Sequence, residues 1–429
     1  MIDEAQDMNE EEFGLINALI EQNEEMRVIA VGDDDQNIFE FRGADSKYLK
    51  DFITTNNAVK HELIENYRSK NNLVEFTNQF VSQISHRLKK EPIRAVQPEN
   101  GKIKIVHYQN NNLITPLVND ILSTDLTGTT CVLTRTNDEA LQITGLLLKN
   151  KMQAKLIQSN DGFSLYNLLE IRYFLDLLNL DEGVYVINDE VWTNAKKELK
   201  SKFQNSSKYD ICENLITDFE KTNPKYKYKS DLEIFIRESK LEDFMNYNGD
   251  TIFVSTIHKA KGKEFDNVFL MLENYSTHTD ENKRLLYVAM TRAKRNLTLH
   301  TNSNFFNNIT VNNLELINNK EIHLPPKELA MLLSLKDVWL DYFINRQIHI
   351  SKLTSGDTLI LKEFECTDQH NNSILKFSQQ FTKQIENLKE KNYNLKSAKV
   401  NFILYWKKED AKKETKIVLP ELHFERITC

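Results

Sequence analysis

The sequence is poor in the features that mark disulfide-stabilised, metal-binding or membrane-spanning chains. Its four cysteines are widely scattered among 429 residues, and no two have the spacing of a zinc site or a redox pair: Cys131, Cys212, Cys366 and Cys429. No apolar run reaches the roughly 20 residues that span a membrane, and the N-terminus lacks the basic and then apolar profile of a secretory signal. These absences predict reduced thiols, no membrane partner and a cytoplasmic protein.

An excess of positive charge is also missing. The chain carries 55 Lys and Arg against 63 Asp and Glu, which gives a formal net charge of −8 and a pI near 5.8. A surface of that overall charge does not attract a polyanion, so any nucleic acid must bind in a local basic groove. The length allows two or three domains, since a domain usually has about 100 to 200 residues.

Acidic residues are plentiful, and one pair of them stands where chemistry is expected. Asp3 and Glu4 directly follow the apolar Ile2, and a β-rich run, Arg27 to Val31, leads into the polar segment Asp33 to Gln36. A carboxylate pair at a strand end can hold Mg²⁺ and take a proton from an attacking water, as nucleotide hydrolysis requires. Such a pair can also simply stabilise a helix N-terminus, because the helix dipole favours negative charge there.

Four separated signatures resemble those of a known family. They are Asp-Glu-Ala-Gln-Asp at 3–7 with Val-Gly-Asp-Asp-Asp-Gln at 31–36 and Phe-Arg-Gly-Ala at 41–44, Glu-Asn-Tyr-Arg-Ser at 65–69, Val-Ser-Thr-Ile-His-Lys-Ala-Lys-Gly-Lys-Glu-Phe at 254–265, and Leu-Leu-Tyr-Val-Ala-Met-Thr-Arg-Ala at 285–293. In this order they resemble the UvrD, PcrA and Rep helicases of superfamily one, over residues 1 to about 305. The resemblance implies an α/β fold with RecA-like P-loop NTPase lobes on parallel sheets. It also implies ATP and Mg²⁺ as cofactors, and single-stranded and duplex DNA as partners.

The same resemblance implies roles at the nucleotide. Asp3 and Glu4 would bind the metal, and Glu4 would also act as the base for the attacking water. Gln36 would sense the γ-phosphate, and Arg68 would contact it from across a cleft. Glu264 would meet the ribose or carry a signal between the nucleotide and DNA sites.

A further arginine falls within a helical pattern. Arg284, Val288, Arg292 and Arg295 follow one another at steps of four, four and three, which predicts one stripe of an amphipathic helix over 281–294. Without the resemblance, this helix would only show basic residues to water. By resemblance Arg292 is an arginine finger, which neutralises charge on the transferring phosphoryl group and is worth roughly 10³ to 10⁵ in rate.

Aromatic and basic residues predict the DNA contacts. Phe39, Phe41 and Arg42 lie close together, and aromatic rings beside a guanidinium can stack unpaired bases, at about 1 to 3 kcal/mol per base. The alternation of the two phenylalanines fits a buried strand equally well. The resemblance favours stacking for at least one of them, although the family usually has tryptophan at position 41. It also implies that Thr256 and His258 face single-stranded DNA.

One element of a nucleotide-hydrolysing lobe is absent from the 429 residues. The phosphate-binding loop Gly-x-x-x-x-Gly-Lys-Ser/Thr wraps backbone amides and a lysine around the phosphates. None of the 11 glycines fits it; Gly262 precedes Lys263 but has no glycine five residues upstream. In the resembled family this loop lies well before the acidic pair. We therefore expect a truncated first lobe, with the loop supplied by an upstream segment or a separate polypeptide.

The predicted domain organisation follows these signatures. Residues 1–65 would form the C-terminal part of the first RecA-like lobe, 66–180 and 250–305 the two segments of the second lobe, 181–249 a short helical insert, and 306–429 a linker and small accessory domain. Lys327 to Asn345 is predicted to be a helix. Short β-rich runs around a lysine-rich helix predict an α+β or β-barrel-like C-terminal tail.

Two functions remain open from the sequence. The first is an ATP-dependent DNA helicase or translocase, by resemblance of 3′ to 5′ direction. The second, favoured by the missing phosphate loop, is a remnant that binds DNA or a protein without hydrolysing ATP. A helicase of the nuclease-associated type ranks below both.

Overall fold

The computed structural model describes residues 1–23, 25–85, 87–157, 162–179, 185–244, 251–409 and 411–427. The chain packs into two compact units. Unit 1 comprises Met1–Leu156 and Asn248–Pro325, and unit 2 comprises Ile157–Tyr247 and Pro326–Cys429. Each unit therefore combines two segments that are far apart in sequence.

The described residues form both helices and strands in each unit. The α-helices are α1 (Glu10–Glu21), α2 (Lys47–Thr55), α3 (Asn71–Val81), α4 (Ile114–Ser123), α5 (Asn137–Lys149), α6 (Leu169–Leu177), α7 (Asp189–Phe203), α8 (Tyr209–Thr222), α9 (Lys229–Glu238), α10 (Asp280–Met290), α11 (Gln347–Ile350) and α12 (Gln379–Glu390). The strands are β1 (Glu65–Lys70), β2 (Arg94–Gln97), β3 (Lys102–Tyr108), β4 (Thr130–Thr134), β5 (Ala154–Leu156), β6 (Ile252–Thr256), β7 (Phe265–Leu272), β8 (Ala293–Thr301), β9 (Leu314–Asn319), β10 (Glu328–Leu332), β11 (Thr358–Lys362), β12 (Glu365–Thr367), β13 (Ser373–Lys376), β14 (Tyr393–Trp406) and β15 (Thr415–Arg426). None of the described helices is both long and apolar enough to cross a lipid bilayer.

Unit 1 is built on a seven-stranded parallel sheet in the order β5-β6-β4-β7-β8-β3-β9. The central strands β4 and β6 are buried at every position, because a parallel sheet is covered on both faces. Leu117 of α4 and Leu147 of α5 pack with Val132 and Val254 of the sheet in one core. The predicted α/β fold with a parallel RecA-like sheet is confirmed.

The units divide the chain at places other than those expected from the sequence. The parallel sheet continues past residue 305, because β9 pairs with β3 and places Leu314 opposite Ile103. Residues 162–179 belong to unit 2 rather than to the second lobe, because Leu168 and Phe174 are buried in the core of unit 2.

The N-terminal segment, residues 1–57, contains little regular sheet. The predicted strand Arg27–Val31 forms only an isolated parallel bridge between Ala30 and Ile2, and this part of the expectation was wrong. The backbone of this run forms hydrogen bonds with Ile2, which precedes the acidic pair. Ile2 N–H donates to Ile29 O at 2.7 Å, and Val31 N–H donates to Ile2 O at 2.8 Å. Ile29 and Val31 remain exposed, so the run lacks the burial that a central strand would have.

Unit 2 joins an antiparallel six-stranded sheet, in the order β10-β15-β14-β11-β12-β13, to helices α6 to α9. Trp192 and Phe219 of the helices share one hydrophobic core with Phe402 and Phe424 of the sheet. The predicted α+β character of the C-terminal tail is confirmed.

The helix predicted over Lys327–Asn345 was wrong. That stretch contains β10 and two 3₁₀ turns, Leu335–Asp337 and Leu340–Arg346. Pairing of β10 with β15 satisfies its backbone groups, with Ala330 opposite His423, and this tertiary contact overrides the helical spacing of its apolar residues.

Candidate functional site

The acidic pair lies in a tight turn at the start of unit 1. Glu4 adopts a left-handed conformation with φ of 50°, which costs energy for a residue with a Cβ. Its N–H donates to Asp3 Oδ1 at 2.9 Å, and its Oε2 accepts a hydrogen bond from Gln6 Nε2 at 2.5 Å. The turn presents both carboxylates at the surface.

Gln6 joins this turn to the segment that carries the three aspartates. Its Oε1 accepts a hydrogen bond from Asp33 N–H at 2.9 Å, and Gln6 itself is buried. A Cβ on Gly32 would stand 2.7 Å from Gln6 Oε1, so the close approach requires glycine at this position. The buried amide of Gln6 therefore joins the two acidic segments, in addition to the backbone hydrogen bonds of Ile2 and Ala5 with residues 29–31.

The acidic turn fits the ligand needs of Mg²⁺. Among the described residues, Asp3 accepts a hydrogen bond through Oδ1 alone, which leaves Oδ2 for a cation. Mg²⁺ is usually held by one or two carboxylates while waters and phosphate oxygens complete its octahedron. Asp3, with Glu4 beside it, supplies that number of protein ligands.

Lys261 connects the acidic turn to the loop after β6. Its ammonium pairs with the Asp7 carboxylate, donates to Gln36 O at 3.1 Å and lies 3.5 Å from Glu4 Oε2. It also lies 4.9 Å from the ring centroid of Phe39. Burial raises the pKa of Asp7, and the bond from Lys261 opposes that rise. The signature at 254–265 contains this lysine, but nothing in the sequence indicates its partners.

Gln36 and Arg292 meet, although they are far apart in sequence. Arg292 is 2% exposed, and its Nη2 donates to Gln36 Oε1 at 3.3 Å. Its other groups are bonded to backbone, with Nε to Val288 O at 3.0 Å and Nη1 to Lys263 O at 3.2 Å. Burial, and then the charge of Arg68, lowers the pKa of Arg292 to about 10.

The helix that carries this arginine in the sequence prediction ends earlier than expected. Helix α10 stops at Met290, and Arg292 lies in the turn before β8, so the predicted stripe over 281–294 was wrong at its C-terminal end. Val288, predicted on the same stripe, is fully buried. The chain must enter the sheet at Ala293, and the turn directs the guanidinium towards Gln36.

Arg68 forms an ion pair with Glu264 and also lines a cleft that contains Gln36. Arg68 Nε lies 2.6 Å from Glu264 Oε2, and both side chains are exposed to solvent. This cleft is lined by Asp33, Gln36, Arg68 and Thr291 among others. Two of the predicted nucleotide contacts, Gln36 and Arg68, thus face one cavity, and Arg292 donates to one of them.

Three consecutive aspartates, Asp33 to Asp35, were left without a role by the sequence. Asp35 is fully buried and accepts two hydrogen bonds from Arg87, at 2.8 and 2.7 Å. Lys89 Nζ lies 2.7 Å from Asp33 Oδ1. Burial raises the pKa of Asp34, whose Oδ2 accepts the Leu88 N–H at 2.6 Å. The three carboxylates lie close enough to share a cation, but these partners already compensate them.

The predicted DNA contacts form an aromatic cluster, which we call the ring cluster: Phe39, Phe41 and His258. Phe41 is 65% exposed, and its centroid lies 6.0 Å from Phe39 and 5.7 Å from His258. Arg42 covers both phenylalanines, at 5.3 and 5.5 Å from their centroids. The phenylalanines flank and enter a 3₁₀ turn rather than a buried strand. Thr256, in contrast, is 6% exposed at the end of β6.

Comparison with protein families gives two matches in chain order. Residues 1–57 match the UvrD/REP helicase N-terminal domain, and residues 61–188 and 182–304 match the UvrD-like helicase C-terminal domain. The second family covers more than half of the chain, and it includes the turn that carries Arg292.

Individual relatives agree with this assignment. The chain is 26% identical to the "Probable DNA helicase II homolog" of Mycoplasma genitalium, over 69% of this chain and 53% of the relative. It is 23% identical to the ATP-dependent DNA helicase Rep of Buchnera aphidicola, over 69% and 61%, and 29% identical to the ATP-dependent DNA helicase PcrA of Bacillus subtilis, over 42% and 24%. The chain thus spans about half to three-fifths of the length of the first two relatives. On these matches, the chain belongs to the UvrD-like helicase family.

Proposed function

We propose that the protein is the greater part of an ATP-driven motor that moves along single-stranded DNA in the 3′ to 5′ direction and separates duplex strands. The observation that carries the proposal is the buried guanidinium of Arg292 on the side-chain oxygen of Gln36. Gln36 would sense the γ-phosphate, and Arg292 would neutralise the charge that develops on it. Such a cation is worth roughly 10³ to 10⁵ in rate.

The other residues of the cleft complete the proposed nucleotide site. Asp3 and Glu4 would hold Mg²⁺, which would offset the negative charge of the phosphates when ATP is bound. Glu4 would accept the proton of the attacking water. Arg68 would exchange its present partner, Glu264, for a phosphate, which leaves Glu264 to meet the ribose.

Coupling of the nucleotide to DNA would pass through Lys261. Its ammonium contacts Asp7, lies near Glu4 and stands over Phe39 of the ring cluster. Bases stacked on Phe41 and His258, with Arg42 near their phosphates, would change the position of Phe39. A shift of the Phe39 ring would alter the surroundings of Lys261, which pairs with the acids of the turn. Thr256 is buried, so it would affect the DNA contacts only through the backbone at the end of β6.

The phosphate-binding loop would come from an upstream segment or a separate polypeptide. An apolar surface on the N-terminal segment supports this part of the proposal. Helix α1 has no buried residue, and Leu15, Leu19, Met26 and Ile29 are all exposed. A polypeptide that adds parallel strands beside Ala30 would cover this surface and bring its loop to the acidic turn.

A second function is favoured by one specific observation. The 429 residues contain no Gly-x-x-x-x-Gly-Lys-Ser/Thr loop. A chain with the ring cluster but without that loop could bind DNA or a partner protein without turning over ATP.

The two functions are separated by measuring MgATP hydrolysis with and without an oligo-dT strand. The chain is assayed alone and mixed with a polypeptide that carries the phosphate loop and its strands. For the motor we expect DNA-stimulated hydrolysis in the mixture, lost by roughly 10³-fold in Arg292→Ala. Arg295→Ala is the matched control, since Arg295 is an exposed arginine three residues away. DNA binding without hydrolysis in either sample would reject the motor and leave the remnant.

A further inference from the structure

Unit 2 displays one tryptophan to solvent on an aromatic platform. Trp339 is 53% exposed, whereas Trp192 is 1% exposed in the core and Trp406 is half-buried. The ring of Trp339 lies 5.8 Å from that of Tyr342, centroid to centroid, at an interplanar angle of 33°. An exposed indole beside a second aromatic ring forms an apolar surface patch, and such patches often mark binding sites.

The platform is held in place by its surroundings. The backbone N–H of Trp339 donates to the backbone O of Lys376 at 2.9 Å, and the Tyr342 hydroxyl lies 2.7 Å from Ser373 Oγ. Phe343, in the same 3₁₀ turn, is fully buried in the core of unit 2. The turn therefore has one anchored side and one exposed side, so the indole needs little further ordering to receive a ligand.

Cations gather on the platform. The Arg346 guanidinium lies 4.8 Å from the Tyr342 ring centroid and donates to its hydroxyl at 3.1 Å, and Lys376 Nζ lies 5.1 Å from the same centroid. Arg346 Nε is buried and has no hydrogen-bond partner among the described residues. Lys336 is exposed nearby in sequence.

The acids near the platform compensate some of these cations but not Arg346. Asp341 is paired with Lys408, at 2.9 Å. Glu365 pairs with Lys376 at 4.0 Å and accepts a hydrogen bond from Ser373 Oγ at 3.0 Å, and Asp337 follows Lys336 in the sequence. Among the described residues no carboxylate pairs with Arg346, so the platform keeps the positive charge of that guanidinium, although the whole chain is acidic.

We propose that Trp339, Tyr342, Arg346 and Lys376 form a binding site for single-stranded DNA. Unpaired bases present flat faces that stack on an exposed indole, and the phosphates between them require cations within a few ångströms. An apolar peptide would use the indole but would leave the cations uncompensated. This site uses residues other than the ring cluster, and it goes beyond the proposed motor because it requires no ATP hydrolysis.

The intrinsic fluorescence of the full chain tests the proposal directly. The ring cluster contains no tryptophan, so binding there does not stack a base on an indole. Oligo-dT of about 15 nucleotides is titrated into a Phe41→Ala, His258→Ala background, which removes stacking at the ring cluster. We expect saturable quenching of tryptophan emission, with the same titration retained in Trp406→Phe and lost in Trp339→Phe.

Affinity is measured in the same background with labelled oligo-dT by anisotropy. Trp339→Ala should weaken binding at least about fivefold, the lower end of what one stacked base contributes. Arg346→Ala should weaken it and reduce its salt dependence, because a phosphate contact is lost. Ile348→Ala is the control, since Ile348 is a 74% exposed apolar residue on neighbouring α11 and should leave affinity unchanged.

An abasic strand of equal length and polyglutamate separate stacking from charge. Weaker binding of both, without quenching, supports the proposal. Equal quenching by either one would show a general polyanion surface and overturn it. Loss of all DNA binding in the ring-cluster background, with Trp339→Ala silent, would overturn it too, and that result leaves the motor proposal intact.

Discussion

The N-terminal segment and unit 2 are stabilised in different ways. In residues 1–57, helix α1 has no buried residue, and the local core is small, around Ala5, Met8, Tyr48 and Leu49. In unit 2 the helices and the antiparallel sheet share a continuous core that includes large aromatic side chains with almost no exposure. Apolar burial is the main favourable term in folding, so unit 2 has far more of it.

Charge pairs take the place of a core in the N-terminal segment. Five acids of the described part of this segment pair with cations from later residues of unit 1: Asp35 with Arg87, Asp33 with Lys89, Asp7 and Glu4 with Lys261, and Glu40 with Arg284. The Arg284–Glu40 pair, at 3.0 Å, is half-exposed on the acid side, whereas Asp35 is fully buried.

This difference bears on function. The residues proposed to handle ATP, among them Glu4 and Gln36, lie on the segment that is held by ion pairs. A segment with little apolar burial opens at lower free energy than one with a large core. In the proposed motor the cleft would open and close in each cycle, and such movement would be easier beside this segment than inside a large core.

The largest expected effect comes from breaking the buried ion pair of the N-terminal segment. Arg87→Ala leaves the buried carboxylate of Asp35 with only the more distant Lys89, whose Nζ lies 3.4 Å from Asp35 Oδ2, and breaking a buried ion pair typically costs about 3 to 5 kcal/mol. We expect residues 1–57 to lose amide protection in hydrogen exchange while unit 2 keeps it.

Lys47→Ala is the control, because the Lys47 side chain is exposed, and its contacts with Asp45, at 3.6 Å, and with the ring of Tyr48, at 4.7 Å from the centroid, are surface contacts of the kind that contribute little to stability. It should leave exchange and the free energy of unfolding unchanged. Equal loss of protection in unit 2 and the N-terminal segment after Arg87→Ala would remove the distinction between the two regions.

A pair of leucine truncations tests the other half of the comparison. Leu199 of α7 is 2% exposed in the core of unit 2, and Leu199→Ala should cost about 2 to 5 kcal/mol in the free energy of unfolding. Leu15 of α1 is 62% exposed, and Leu15→Ala should change the free energy by less than about 0.5 kcal/mol. Urea denaturation of both variants measures the difference. A comparable loss for Leu15→Ala would mean that the face of α1 is covered in solution.

The sequence predicted the parts of the fold that leave a local pattern. The strands β4 and β6 leave such a pattern, because each is short, rich in β-forming residues and buried at every position. The shared core of unit 2 does not, because residues such as Phe174 and Phe402 are brought together only by the tertiary fold. The helix predicted over Lys327–Asn345 was wrong for the same reason, because pairing of β10 with the distant strand β15 determines the conformation of this stretch.

For the candidate site, resemblance named the residues and the structure supplied their partners. Gln36 and Arg292 came from motifs, and their contact agrees with a common site without testing the roles assigned to them. The partners Arg87 and Lys89 lie outside the quoted motifs, and an ion pair between distant segments has no periodicity to detect. The aspartates they bind were therefore visible in the sequence, but their compensation was not.

Buried charge in unit 2 gives a pH-dependent contrast with the N-terminal segment. Lys208 is buried, its Nζ donates to Asn401 Oδ1 at 2.8 Å, and it lies among Glu170, Glu421 and Cys212. Burial lowers the pKa of Lys208 to about 8, against roughly 10.4 in an unfolded chain.

Between these two pKa values the unfolded chain binds more protons than the folded one, so stability contributed by this group rises with pH. From pH 8 to 10.5 we expect the free energy of unfolding of the natural chain to gain up to about 3 kcal/mol relative to Lys208→Met. Denaturation curves at several pH values for both proteins measure this difference. Parallel curves would show that Lys208 stays charged inside unit 2.

Two glycines of the N-terminal segment should give moderate effects of opposite sign. A Cβ at Gly32 would stand 2.7 Å from Gln6 Oε1 and 3.0 Å from Gln6 N, so Gly32→Ala should cost about 1 to 3 kcal/mol by forcing the acidic turn from the aspartate segment. A Cβ at Gly14, within α1, would meet nothing within 4 Å, so Gly14→Ala should gain about 0.5 to 1 kcal/mol from helix propensity alone. Thermal unfolding monitored in the N-terminal segment reports both changes. A lower unfolding temperature for Gly14→Ala would show that another chain packs against α1. The N-terminal segment would then be stabilised by apolar contacts as well as by ion pairs.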